Sequence, residues 1–143
     1  MRSTSNTTSI VIALGSNLGN RALTLRRALH EVGKLVRIVR VSNIHETKPV
    51  DAPAGSPDFL NMVLVGHTRL QAEGLLEGLQ AIEKKLGRRP GRRNAPRTID
   101  LDLILYGAQR IRTKRLTVPH PRYMKRAFVM EPLRELGLDY RVP

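Results

Sequence analysis

A ferredoxin-like α+β sandwich, βαββαβ in order with a mostly antiparallel sheet and a C-terminal appendage, is the fold that this sequence predicts. Three observations lead to it. A chain of 143 residues has the length of one ordinary domain. Its hydrophobic content of 41% and charged content of 26% are those of a globular domain with its own core. The apolar pattern also passes twice from strand to helix and back, giving two βαβ halves separated by an irregular loop.

Residues 1–8 are polar and predict a loose tail, which leaves residues 9–143 as a single domain. Ser9 to Leu14 is β-branched, ends at Gly15, and predicts a buried strand. Asn20 can cap a helix whose apolar stripe is Ala22, Leu25, Leu29, Val32 and Val36, with Arg26, Arg27 and His30 facing outward. Arg37 to Thr47, with Ile38, Val39, Val41 and Ile44, predicts one strand. Lys48 to Asp58 contains three prolines and a glycine, which break any ladder, and predicts a long loop. Phe59 to His67 is a strand, and Leu75, Leu79, Ile82 and Leu86 mark a helix from Gln71 to Leu86 that Gly87 ends. Arg88 to Thr98 is a second irregular loop and Ile99 to Tyr106 a strand. Arg110 to Val118 predicts one short extra strand, and Pro121 to Leu136 helical turns broken around Pro132. Two helices then cover one face of the sheet.

Composition narrows the function. Twenty-five Lys and Arg against 12 Asp and Glu give a net charge of +13, which calls for an anionic partner. With two Phe, three Tyr and no Trp, the chain has few platforms for stacking successive bases, so nucleotide phosphates suit it better than a nucleic-acid strand. No Cys is present, which removes disulfides, thiolate nucleophiles and Cys-ligated metal. No apolar run approaches the ~18 residues of a membrane span, and a cytoplasmic domain is expected.

The sharpest chemical signal is Thr98-Ile99-Asp100-Leu101-Asp102-Leu103-Ile104-Leu105-Tyr106. Alternation puts Ile99, Leu101, Leu103 and Leu105 on a core face and both aspartates on the other, about 6.5–7 Å apart. Two carboxylates so placed repel each other unless a cation neutralises them. Mg²⁺, which takes one or two carboxylates together with waters and phosphate oxygens, is the natural choice. Between the second helix and this strand lie Lys84, Lys85, Arg88, Arg89, Arg92, Arg93 and Arg97, with no acid from 84 to 99. A loop this basic repels itself unless it folds over an anion, so metal and guanidinium forks together predict polyphosphate. A solvated or RNA-facing loop is the competing reading, but it leaves the two aspartates unexplained.

Gln80 and Glu83, at i and i+3 on the last turns of the second helix, can hold a base and ribose or steady an arginine, or can be plain helix surface. Asn61 is the lone polar residue in an apolar strand and shares a face with Phe59; an amide and a ring suit a flat heterocycle, although a satisfied core amide is as consistent. Gly15-Ser16-Asn17-Leu18-Gly19-Asn20 reads mainly as a tight turn, since it lacks the lysine and spacing of a P-loop.

Five motifs in order, Gly15-Ser16-Asn17-Leu18-Gly19-Asn20, Thr47-Lys48-Pro49, Asp58-Phe59-Leu60-Asn61, Pro96-Arg97-Thr98-Ile99-Asp100-Leu101-Asp102 and Val118-Pro119-His120-Pro121-Arg122, resemble the 6-hydroxymethyl-7,8-dihydropterin pyrophosphokinases of folate biosynthesis. The resemblance runs from about Ile10 to Leu136. It implies transfer of the β,γ-diphosphate of ATP to the pterin hydroxymethyl group with release of AMP, two Mg²⁺ ions, a ferredoxin-like fold and a monomer that needs neither membrane nor nucleic acid. By position, Asp100 and Asp102 are similar to the metal ligands. Thr47, Val50, Phe59, Asn61 and Phe128 match the pterin pocket. Gln80, Glu83, Arg97, Arg115, His120 and Arg126 match positions around ATP, and Arg88 and Arg97 match arginines that neutralise charge during transfer. Asn94-Ala95 stands where the family carries Trp-Gly. The two irregular loops are expected to close over bound substrates and exclude water.

Overall fold

In the computed structural model the described residues are 6–48, 54–87 and 98–137. The first strand, β1 (Thr8–Ser16), starts at Thr8, one residue before the expected boundary. There follow α1 (Arg21–Val32), β2 (Arg37–Val41), β3 (His45–Thr47), β4 (Phe59–Thr68), α2 (Ala72–Lys85), β5 (Asp100–Tyr106), β6 (Ile111–Arg112), β7 (Thr117–Val118), a 3-10 turn (Tyr123–Lys125) and α3 (Ala127–Glu135). The main sheet has the order β2-β4-β1-β5, with β3 also on β4, and each of its pairings is antiparallel.

α1 and α2 pack on one face. Ile10, Ile12 and Leu14 of β1 meet Leu25, Ala28 and Val32 of α1 and Leu75, Leu79 and Ile82 of α2 there. The stripe of α1 is rotated slightly from the expected one, with Ala28 buried and Ala22 exposed. Asn20 caps α1 by accepting the Leu23 N–H at 3.2 Å. Arg26, Arg27 and His30 are exposed, as the pattern requires.

The second face is also covered, which two helices on one face did not anticipate. Val129, Leu133 and Leu136 of the α3 segment pack on Val11, Ala13, Val63, Val65, Ile104 and Leu105. This helix lies across the strands. It begins after Arg126, whose charge acts on His120 beside β5, and it ends at Glu135, which grips Asn43 and His45 at the opposite edge. Nine helical residues span about 13.5 Å, close to the roughly 14.5 Å of three inter-strand spacings.

Four elements differ from the sequence expectation, each for a physical reason. The strand expected over 37–47 is two strands, because Ser42 takes over the ladder with its side chain: its Oγ accepts the Val63 N–H at 3.0 Å and donates to the Asn43 carbonyl at 2.8 Å. Leu105 leaves the face of Leu101 and Leu103, because a bulge in the β1–β5 register turns both Ile104 and Leu105 toward α3. The single strand expected over 110–118 is a hairpin, β6–β7, closed by the Thr113 N–H to the Leu116 carbonyl at 2.8 Å. The helical break falls at Arg126, whose backbone is extended, and not at Pro132, which is buried inside α3 and lacks only one ladder N–H.

Candidate functional site

The register of the sheet assembles the site. Gly15 of β1 pairs with Asn61 of β4 on one side and with Asp100 of β5 on the other, and His45 of β3 pairs with Asn61 in turn. Side chains opposite one another across a ladder share a face, so His45, Asn61 and Asp100 form one row on the α3 side of the sheet. One row further in, Ala13 pairs with Val63 and with Asp102, so both aspartates are on this face, as expected from alternation. Phe59, two residues before Asn61, shares the face and pairs with Thr47.

The centre of the row is Gly15. A Cβ there would stand 3.0 Å from Asn61 Oδ1 and 3.4 Å from Phe59 Cδ1. Its absence leaves a floor between an amide and a ring on one side and a carboxylate on the other. Asn61 is buried, and its Nδ2 donates to Thr47 Oγ1 at 2.6 Å, which fixes the amide with Oδ1 on the Gly15 side. The opening turn does more than reverse the chain. Asn17 is buried with its Nδ2 on the Pro57 carbonyl at 3.3 Å, and Arg21 Nη1 donates to the Asp58 carbonyl at 2.8 Å and pairs with Glu46 at 3.3 Å. These bonds moor the segment entering Phe59 and the strand carrying Thr47.

Glu83 is turned inward and not displayed on the helix surface. It is 8% exposed and its Oε2 accepts the Leu101 N–H at 2.8 Å, holding the edge of β5 between the two aspartates. Gln80, one turn earlier, is exposed. His120 follows β7, and its backbone N–H reaches the Ile104 carbonyl at 2.8 Å. Burial first, then the charges of Arg126 and Arg122, hold its imidazole below the usual histidine value, and Asp100 opposes them. Around His120 a cavity of about 660 Å³ is lined by Arg110, Arg112, Arg122 and Lys125, cations that the sequence reading did not select. Arg126 lies with its guanidinium 5.4 Å from the centroid of the Phe128 ring, so these two predicted residues touch. Arg115 is placed elsewhere: it pairs with Glu73 and Glu77 on the first half of α2, each at 3.3 Å. Val50, Arg88, Arg97 and the Asn94-Ala95 pair lie outside the described residues.

Asp100 and Asp102 are both half-buried and each has a polar or charged partner. No group of three or more His, Cys, Asp or Glu that could hold a metal occurs among the described residues. A pair of carboxylates on one face, without a cage of further protein ligands, fits Mg²⁺, which keeps several waters and takes substrate phosphate oxygens.

A sequence model described as 7,8-dihydro-6-hydroxymethylpterin-pyrophosphokinase matches residues 11–137. The chain belongs to this family. Among its relatives, the 2-amino-4-hydroxy-6-hydroxymethyldihydropteridine pyrophosphokinase of Bacillus subtilis is 45% identical over 128 residues, covering 87% of this chain and 75% of that protein. The pyrophosphokinase of the same name from Pseudomonas aeruginosa is 41% identical over 136 residues, 94% of this chain and 83% of its own. A mitochondrial folate synthesis bifunctional protein of Arabidopsis thaliana is 42% identical over 128 residues, 89% of this chain. The chain spans about a quarter of the length of such plant bifunctional relatives. In fold it is similar to the crystal structure of Plasmodium falciparum HPPK-DHPS wild type with pterin and p-hydroxybenzoate, with a TM-score of 0.74 at 17% identity over 97% of this chain and 41% of that one. Family membership accords with the motif resemblance and with the ferredoxin-like arrangement of the sheet and its first two helices. Among the described residues no helix is long and apolar enough to cross a membrane.

Proposed function

We propose that this chain transfers the β,γ-diphosphate of ATP to the hydroxymethyl group of 6-hydroxymethyl-7,8-dihydropterin and releases AMP. The observation that carries the reading is the row Asn61, Gly15, Asp100. In that row the Asn61 amide and the Asp100 carboxylate stand two inter-strand spacings apart, about 10 Å, with no side chain between them, which supports a heterocycle on one side and a metal on the other. A bicyclic base stacked on Phe59 and hydrogen-bonded by Asn61 extends its hydroxymethyl arm over Gly15 toward the aspartates.

In this reaction the substrate oxygen attacks the β-phosphorus in line with the departing AMP oxygen, so the protein needs no covalent nucleophile and acts by positioning and charge neutralisation. Asp100 and Asp102 would hold Mg²⁺, two ions in the full complex, and the metal supplies neutralisation of the phosphate oxygens. Glu83 keeps the strand bearing both aspartates in place through Leu101. The cations around His120 receive the nucleotide's phosphates, and Arg126 and Phe128 join the two subsites. Arg88 and Arg97 belong to the proposal as neutralising groups, Val50 and Thr47 as pterin contacts, and Gln80 and Arg115 as nucleotide contacts. The chain works as a monomer in the cytoplasm.

The test is direct. Incubation with ATP, Mg²⁺ and 6-hydroxymethyl-7,8-dihydropterin should yield AMP in step with pterin consumption; ADP as the product, or no nucleotide product, rejects the assignment.

A further inference from the structure

The far end of the sheet carries a second concentration of positive charge that diphosphate transfer does not use. An open cavity of about 780 Å³ lies between the α1–β2 turn and the β4–α2 turn, and Lys34, Arg37, His67 and Arg69 line it together with Leu35 and Leu70. Arg37 pairs with His67 across the β2–β4 ladder, and His67 pairs with Ser9 of β1. Gly15 lies six residues further along β1, so roughly 20 Å of strand separate this cavity from the candidate transfer site.

The cavity is built. A Cβ at Gly66 would overlap the Arg37 carbonyl, so the glycine allows β2 to press directly onto β4 and fixes where Arg37 emerges. Thr68 Oγ1 donates to the Leu35 carbonyl at 3.0 Å and accepts the Leu70 N–H at 3.1 Å, tying the two turns to each other. Ser9 Oγ lies 3.3 Å from His67 Nδ1 and orients the ring. Lys34 is partly neutralised, since it shares Glu31 with Lys85. Among the described residues no carboxylate pairs with Arg37 or Arg69, and no carboxylate lines the cavity. Like charges gathered at a concave wall without a counter-charge cost energy unless an anion enters.

We propose that this cavity is a second anion site, which takes a compact polyphosphate such as inorganic pyrophosphate, triphosphate or the tail of a nucleoside triphosphate. Lys34 and Arg37 from one turn and His67 and Arg69 from the other line one cavity, which suits several phosphates in one small ligand. A nucleic-acid strand calls for a basic stripe interleaved with aromatic platforms, and no Phe, Tyr or Trp lines this wall.

The experiment is a titration of the full chain with inorganic tripolyphosphate at constant ionic strength, without Mg²⁺ or nucleotide, the cavity and the transfer site being told apart by which amides move. It is followed by backbone amide NMR and calorimetry. The expected result is one saturable event that moves the amides of residues 34–37 and 67–70. Arg37→Glu with Arg69→Glu should weaken it at least tenfold, Arg37→Gln with Arg69→Gln by less, and turnover should be unaltered in both. Unsaturable shifts spread over all basic residues would mean ionic screening only and overturn the site. Tighter binding there of a single-stranded RNA of equal charge would overturn it in favour of a nucleic-acid surface.

Discussion

The Glu83 carboxylate accepts the backbone N–H of Leu101 at 2.8 Å, so a buried acid of α2 fixes the one residue that separates Asp100 from Asp102. An edge strand has no neighbour to hold its outer N–H groups, and here a side chain takes that part. Glu83→Ala leaves the Leu101 N–H without its acceptor and should cost about 1–3 kcal/mol in urea denaturation. Glu83→Gln keeps an acceptor oxygen and should recover most of that loss. Equal losses in the two variants would show that the bond to Leu101 is not what stabilises this edge.

Asp100→Asn and Asp102→Asn test the carboxylate pair one at a time. Each removes a charge while keeping shape, so AMP release should fall about a hundred- to a thousandfold, the scale of losing one electrostatic stabiliser in an active site. Circular dichroism should be unaltered, because both side chains sit on the half-open end of the sheet. Wild-type turnover in either variant removes that residue from the metal site.

Gly15→Ala tests the floor between the subsites. Its Cβ would meet Asn61 Oδ1 at 3.0 Å and the Phe59 ring at 3.4 Å, and overpacking of this kind costs about 1–3 kcal/mol. Taken from pterin binding, that is roughly a 5- to 150-fold rise in the pterin KM. The affinity for the ATP analogue should stay the same, and an unchanged pterin KM would place the heterocycle elsewhere.

The bonds from Asn43 N–H and His45 to Glu135 hold its carboxyl below the ordinary glutamate value of 4.5. The folded state therefore binds this proton less readily than the unfolded chain does. The stabilisation is complete above pH 4.5 and is lost as pH falls through the lowered folded value. Thermal melts should show a steeper decline below pH 4.5 in the wild type than in Glu135→Gln, and superimposable profiles would show that the clamp does not contribute.

Gly66→Ala should be among the most damaging single-methyl changes in the chain, because the added carbon overlaps the Arg37 carbonyl. A cost of about 1–3 kcal/mol or more is expected, with faster amide exchange across residues 37–41 as β2 is pushed from β4. Exchange unaltered in β2 would mean that the strand accommodates the methyl group.

Much of this was legible in residue order. Alternation alone puts Asp100 and Asp102 on one face, and the isolated polarity of Asn61 beside Phe59 marks the other half of the proposed site. What alternation could not reach were events in which a side chain replaces backbone, such as Ser42 splitting a strand, or in which a bulge reverses the faces, as at Ile104 and Leu105. The roles of Asn17, Arg21 and Glu135 were equally hidden, since each bonds a partner more than twenty residues away and no local spacing announces it. The i, i+3 spacing of Gln80 and Glu83 on the last turns of α2 marks both as candidates, but the inward turn of Glu83 toward Leu101 is visible only once α2 is laid against β5.

α3 covers the part of this face of the sheet that lies next to the row. The helix rests on Ala13, Val63 and Val65, the residues that follow the Gly15 and Asn61 row along the strands, and is fastened at its far end by the bonds of Glu135 to Asn43 and His45. Changes at the buried Val129 and Leu133, or at the Glu135 catch, would therefore be felt in the strands that carry the row.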